Sequence, residues 1–210
     1  MTGNHNIQAV LFDFGGVLLQ HMDGIDHKAI EARLGLDERT LFRCLYRDSR
    51  YMDLQVGKCT HDEWIASVRA AADRLCPDKA GALMAAWQQA ERPLNPDMIA
   101  LVKTLRRADY RTAIVSNTIP GMEERFRQEL PQLIPLFDVR VGSGDLGIAK
   151  PDPQIYLHAA ERLGVAPERC VFTDDVARFA EAAREVGMRG FHFTGHAQFV
   201  ADLRSVGVRC

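Results

Sequence analysis

The chain has 210 residues, 47% of them hydrophobic and 26% charged, with a formal net charge of −2. That composition suits a globular protein with a substantial core, as one large domain or as a core plus a smaller unit. It offers no basic excess for a nucleic-acid partner and no apolar run long enough to span a membrane.

The five cysteines (Cys44, Cys59, Cys76, Cys170 and Cys210) are scattered and form no Cys-x-x-Cys pair. Neither a disulfide framework nor a zinc site is expected, and a cytoplasmic location is. The first residues are polar and lack the basic-then-apolar pattern of a secretory signal. Oligomeric state is left open.

In chain order, the first expected element is a strand over 7–12. Its apolar run Ala9, Val10, Leu11, Phe12 ends in Asp13, and the turn Gly15–Gly16 follows. Open α/β sheets bind ligands at the carboxyl ends of their strands, so Asp13 stands at a functional position. Helical patterns then dominate from 26 to 90, with candidates over 26–34 and 37–46. A capping-box signature, Thr60 with Glu63, opens a helix to about 75, and Pro77 opens another that ends before Pro93. No strong strand interrupts this stretch, which reads as an all-helical insert.

After the insert the pattern alternates. Helices are expected over 98–107, 121–129, 151–163 and 177–186. Strands are expected over 112–115, 137–141, 170–173 and 190–193. The alternation predicts an α/β fold: a doubly wound, mainly parallel sheet with right-handed crossovers. Three of these segments end in chemistry. The run Ala113, Ile114, Val115 ends in Ser116 and Asn117. Lys150 precedes a helix start at Pro151, Asp152 and Pro153. The run Val171, Phe172, Thr173 ends in Asp174 and Asp175. Together they place a nucleophile, a hydroxyl donor, a cation and a carboxylate pair at the ends of successive units of one sheet. Phosphoryl transfer calls for such a set, because the catalyst must position and neutralise a phosphoryl group. His192 and His196 are four residues apart, but Gly195 between them argues against a helix that would align them on a metal.

These four segments resemble the four motifs of the haloacid dehalogenase-like (HAD) hydrolase superfamily. The longest match runs from Gly144 through Lys150 and Pro151 to Tyr156, then through Asp174 and Asp175 to Ala182–Met188. Within the superfamily it is similar to the members whose helical cap is inserted between the first and second motifs. The resemblance implies a Rossmann-like core formed by 1–16 and 93–210, and a cap formed by 17–92. It further implies a magnesium-dependent phosphatase acting on a small phosphorylated metabolite, with sugar phosphates among the candidates. Asp13 would be the nucleophile that forms an aspartyl-phosphate. Asp13, the backbone carbonyl of Gly15, and Asp174 would hold Mg2+, with Asp175 acting through water. Ser116 and the Asn117 backbone amide would donate to the transferring group, and Lys150 would neutralise charge.

Two positions depart from the family pattern. Where the first motif usually carries a second Asp, the general acid–base, this chain has Gly15. A positive φ at Gly15 is one reading of the turn. Where many members with paired motif-four carboxylates carry Asn, this chain has Phe179, which implies a lost hydrogen bond near the metal site. His21 and Asp23 follow the first motif and are read as solvated hinge residues rather than as a replacement acid. Trp64, Trp87, Tyr46 and Tyr51 read mainly as cap core, with Tyr46, Arg47, Arg50 and Tyr51 as candidates to face substrate. Two other readings stand beside the phosphatase: a metal-independent 2-haloacid dehalogenase, and a non-catalytic binding protein built on the same fold.

Overall fold

The computed structural model describes residues 6–210. The polar start of the chain, residues 1–5, lies outside the described residues. Five parallel strands form one sheet in the order β3-β2-β1-β4-β5: β1 (Ala9–Phe12), β2 (Arg111–Ser116), β3 (Val139–Gly142), β4 (Cys170–Asp174) and β5 (Arg189–His192). All four β1 residues are buried, as expected of a central parallel strand covered on both faces.

Strand alternation sorts these residues onto two cores. Val10 and Phe12 face one layer with Met98, Leu105, Phe126 and Phe199. Ala9 and Leu11 face the other, with Ile155, Tyr156, Leu163 and Ala183. The covering helices are punctuated by local chemistry. Asn95 caps Pro96–Arg107 through the Met98 amide at 3.3 Å, with Pro at the first position and Arg106 and Arg107 in the last turn. Asp152 caps Pro153–Leu163 through the Gln154 amide at 2.9 Å, and Gly164 ends it in the left-handed region at φ 68°.

Registration puts the functional ends side by side. Phe12 pairs with Ile114 on one flank and Thr173 on the other, so Asp13 emerges between Ser116 and Asp174. The Asp13 amide donates to the Thr173 carbonyl at 2.9 Å, extending the ladder by one residue.

Residues between 25 and 87 build a third, separate apolar cluster around Leu41, Leu45, Trp64, Val68, Leu83 and Trp87. Its main helices are His27–Leu34, His61–Leu75 and Ala80–Gln88. The expected Thr60–Glu63 capping box is present, with the Thr60 amide donating to Glu63 at 2.8 Å. The expected helix over 37–46 is different: a single turn, Thr40–Phe42, runs into a wider turn, Arg43–Arg47. The buried Glu31 explains the start of this turn, because its carboxylate accepts from the Arg39 and Leu41 amides at 3.0 and 2.8 Å. A side chain from a preceding helix thus supplies the cap. The chain leaves and re-enters the sheet layer through paired segments. Leu19 bridges Leu94, and the Asn95 amide donates to the Leu18 carbonyl at 2.8 Å.

The helix His196–Ser205 was not among the sequence expectations. Its signal is short: Phe199 and Leu203, four apart, both buried against the β1 face. No helix among the described residues is long and apolar enough to cross a membrane.

Candidate active site

Asp13, Ser116, Asn117, Lys150, Asp174 and Asp175 all come together at the carboxyl edge of the sheet. Asp13, Ser116, Lys150 and Asp174 are buried, the last completely. Burial of so many polar groups requires partners. The Lys150 ammonium supplies one, standing 2.9 Å from Asp13 Oδ1 and 2.5 Å from Asp174 Oδ2. The contact with Asp174 is a hydrogen bond. Asp13 Oδ1 has the charge contact without hydrogen-bond alignment and no other donor among the described residues. Asp174 Oδ1 accepts from the Val176 amide at 2.9 Å, which fixes the carboxylate at the strand end.

Asn117 acts on Lys150 through its side chain. The Lys150 amide donates to Asn117 Oδ1 at 2.7 Å, and Asn117 Nδ2 donates to the Lys150 carbonyl at 2.9 Å. This two-point clasp joins the end of β2 to the loop before Pro153–Leu163 and holds the lysine backbone in place. Asn117 therefore serves as a positioning residue through a side-chain contact that the sequence reading did not include.

Carboxylate oxygens of Asp13, Asp174 and Asp175 lie within 4.8 Å of one another. Burial first, then the charge of Asp13, pushes Asp174 up to about 7 and Asp175 up to about 6. Burial alone would lower Lys150, but Asp13 and Asp174 outweigh it and raise the ammonium above its ordinary range. Three carboxylates face one ammonium, and one buried carboxylate oxygen has no hydrogen-bond donor among the described residues. A hard divalent cation fits that donor set.

The two departures from the family pattern have physical consequences. Gly15 has φ −69° and ψ 138°, an ordinary extended conformation, so the positive-φ reading belongs to Gly16 at φ 68° instead. A Cβ on Gly15 would strike the Met22 carbonyl oxygen, and one on Gly16 would strike the Asp175 carboxylate. Glycine is required at both positions by close approach. Phe179 lies 5.1 Å from Lys150 Nζ, and Phe172 lies 5.4 Å away. Where an amide would hydrogen bond, this chain presents aromatic faces to the buried cation.

His21 is exposed, as expected of a hinge residue. Asp23 is not solvated. Its carboxylate accepts from the Tyr46 hydroxyl at 2.6 Å and the Ile25 amide at 3.1 Å, and contacts His27 Nε2 at 3.0 Å. Burial opposes ionisation there, but His27 and these donors prevail and lower its pKa. Arg47 is exposed, and Arg50 pairs outward with Asp53 and Glu63. His192 Nε2 bonds the Asp175 carbonyl at 3.0 Å, which places this imidazole behind the carboxylate pair.

A cavity of about 450 Å³ opens over the site, with Gly15, Ser116 and Asn117 among its lining and the helical cluster on the other side. Tyr46 and Tyr51 line it, as the sequence allowed. The helix Met122–Glu129 contributes Met122, Arg125, Phe126 and Glu129, which the sequence reading missed. Their spacing of three, four and seven residues marked one helical face, but nothing marked it as facing substrate.

The profile of haloacid dehalogenase-like hydrolases matches residues 7–187. The chain belongs to this family. This HAD-like hydrolase is 34% identical over 116 residues to phosphatase MT3486 of Mycobacterium tuberculosis, a match covering 53% of this chain and 54% of that protein. It is 27% identical over 197 residues to bifunctional epoxide hydrolase 2 of Sus scrofa, covering 87% of this chain and 35% of that one. The hydrolase thus spans about half and about a third of the lengths of these two relatives. Its fold matches a HAD family enzyme of Bacteroides thetaiotaomicron solved with magnesium and inorganic phosphate. The TM-score is 0.66 at 22% identity, over 89% of this chain and 93% of that one.

Proposed function

We propose that this hydrolase is a magnesium-dependent phosphatase that acts on a small phosphorylated molecule through an aspartyl-phosphate on Asp13. The observation that carries the reading is the buried Asp13–Lys150–Asp174 contact with Asp175 alongside. Three carboxylates against one ammonium make a poor resting place for a phosphate dianion until further positive charge is added. A dehalogenase, which moves no phosphate, has no use for that surplus of carboxylates.

Asp13, Asp174, Asp175 and the Gly15 carbonyl would hold Mg2+. When bound, the cation neutralises the carboxylates and polarises a phosphoryl oxygen. An Asp13 oxygen attacks phosphorus as the ester P–O bond breaks, and the departing oxygen keeps the electron pair. Ser116 and the Asn117 backbone amide donate to the phosphoryl oxygens. Lys150, held by the Asn117 side chain, balances charge on Asp13. Gly15 offers no proton, so the leaving oxygen takes one from solvent. Water then cleaves the acyl phosphate, releasing inorganic phosphate and restoring Asp13.

Residues 17–92 act as a cap over this site, joined to the core of 1–16 and 93–210 by the paired segments near Leu19 and Leu94. The test is release of inorganic phosphate from an aryl phosphate with and without a chelator, beside halide release from 2-chloropropionate. Phosphate release that needs Mg2+ supports the phosphatase. Halide release in chelator supports the dehalogenase, and release of neither identifies a binding protein.

A further inference from the structure

The cavity above the strand ends has two aromatic walls. On the cap side Tyr46, Tyr51 and Trp64 contact one another in sequence, with ring centroids 4.6 and 6.0 Å apart, and Trp87 continues the row at 5.7 Å from Trp64. On the core side Phe14 and Phe126 pack at 5.1 Å. Most polar groups in the lining are already committed to the protein. Asp23 accepts from Tyr46 and Ile25, the Asn117 side chain clasps Lys150, and Trp64 Nε1 donates to the Leu45 carbonyl at 3.1 Å. The half-buried Arg125 guanidinium donates to Thr118 Oγ1 and the carbonyls of Ile119 and Pro120.

The exposed His61, Arg92 and Glu129 also line the cavity, but a polyhydroxylated leaving group held between the rings would lose water from hydroxyls that find few free partners there, and each such loss is costly. A flat apolar one would lose nothing and would gain ring contacts on both sides. Size narrows the class. An apolar cavity of about 150 Å³ is enough to hold benzene, and this one holds about 450 Å³. The missing acid points the same way. With Gly15 in place of an acid, and the Met22 carbonyl where that side chain would stand, the departing oxygen must bear its own charge. A phenolate does so far better than an alkoxide.

Resting on the phosphatase reading above, we propose that the substrates are phosphate monoesters of fused-ring phenols, bound with the ring system between the Tyr51–Trp64 and Phe14–Phe126 walls. The reaction is the same displacement: the aryl O–P bond breaks, the phenolate leaves and is protonated by water, and Asp13 takes the phosphoryl group.

The experiment measures kcat/KM with Mg2+ for four esters: 1-naphthyl phosphate, phenyl phosphate, decyl phosphate and glucose 6-phosphate. The two aryl esters have leaving groups of similar acidity, so their ratio reports the added ring. Burial of that ring predicts a gain on the order of 10- to 100-fold for the naphthyl ester. Tyr51→Leu keeps an apolar side chain but removes the ring, and should lower the naphthyl-to-phenyl ratio by roughly two- to tenfold. Met22, which lines the mouth and is 43% exposed, gives a second variant that carries little folding risk. Met22→Asn should lower the same ratio. Phosphate release from all four esters with no naphthyl preference, or with decyl phosphate or glucose 6-phosphate preferred, would overturn the fused-ring assignment and leave the phosphatase intact. No phosphate release from any ester would overturn both.

Discussion

The two sides of the cavity are built on opposite principles. On the sheet side, charged groups are buried and crowded, and each is fixed by a strand end or a short hydrogen bond. On the helical side, the surface is mainly aromatic, and the polar atoms of Asp23, Tyr46 and Trp64 are turned to internal partners. The first arrangement stores unfavourable electrostatics, a surplus of carboxylate charge that a bound cation would relieve. The second stores almost none, and selects by shape and apolar area. Substitutions on the sheet side should therefore move turnover by orders of magnitude, and those on the helical side should move preference between substrates by smaller factors.

The largest effect should come from Asp13→Asn. The amide keeps the shape but is a poor nucleophile, and phosphate release should fall by about four orders of magnitude or more. Circular dichroism should show the fold retained. Turnover near the wild-type rate in a preparation free of wild-type protein would end the nucleophile assignment.

Next comes the metal. Chelation should abolish turnover, and Asp174→Ala should reduce it by roughly two to three orders of magnitude at fixed Mg2+. The pH dependence has a definite sign. Asp174 and Asp175 are raised to about 7 and about 6, against about 3.9 in an unfolded chain. The metal-free fold therefore binds protons more tightly than the unfolded chain. Its stability contribution from these groups is greatest at low pH and is lost as pH rises from about 4 to 7. Mg2+ competes with those protons, so the gain in Tm on adding it should be larger at pH 8 than at pH 5.5. Equal gains at both pH values would show that these carboxylates do not hold the cation.

Asn117→Ala tests the clasp on Lys150. It should lower kcat by about 10- to 100-fold with little change in KM, the scale expected when a group that positions a catalytic side chain is lost. An effect confined to KM would mean that the Asn117 side chain meets substrate directly.

The smallest effect is expected from Asp23→Asn on the helical side. The substitution weakens the contacts to Tyr46 and His27 and should cost about 1–2 kcal/mol of stability, read by urea unfolding. Turnover should change only a few-fold. A rate series over phosphate esters of graded leaving-group acidity sharpens the point. An equal slope in wild type and Asp23→Asn leaves Asp23 structural, whereas a steeper slope in the variant would make it the proton donor that Gly15 is not. Gly15→Asp is a poor alternative test, because its Cβ would displace the Met22 backbone.

Much of the sheet side was legible in the sequence. Parallel strands buried on both faces read as short apolar runs; three of them end in Asp13, in Ser116 and in Asp174 with Asp175, and Lys150 stands just before a helix start, so order along the chain predicted these residues at one edge. The helix ends were legible for a similar reason: caps such as Asn95, Asp152 and Thr60 act within three residues. The 37–46 segment was not, because its cap comes from Glu31, a side chain whose approach depends on how two helices pack.

By itself, then, the sequence determined the strand–helix alternation of a mainly parallel sheet, the helical stretch between its first two strands, and the identity of the charged groups at the strand ends. These follow from short-range periodicity and from the rule that parallel strands expose function at one edge. Only the tertiary structure decided that Asn117 holds Lys150, that Phe179 faces the same lysine, and that the Met22 carbonyl fills the space beside Gly15. It alone brought Phe14 and Phe126 into one cavity with Tyr51 and Trp64. Such contacts join residues far apart in the chain, where spacing carries no information and close packing of side chains sets every distance.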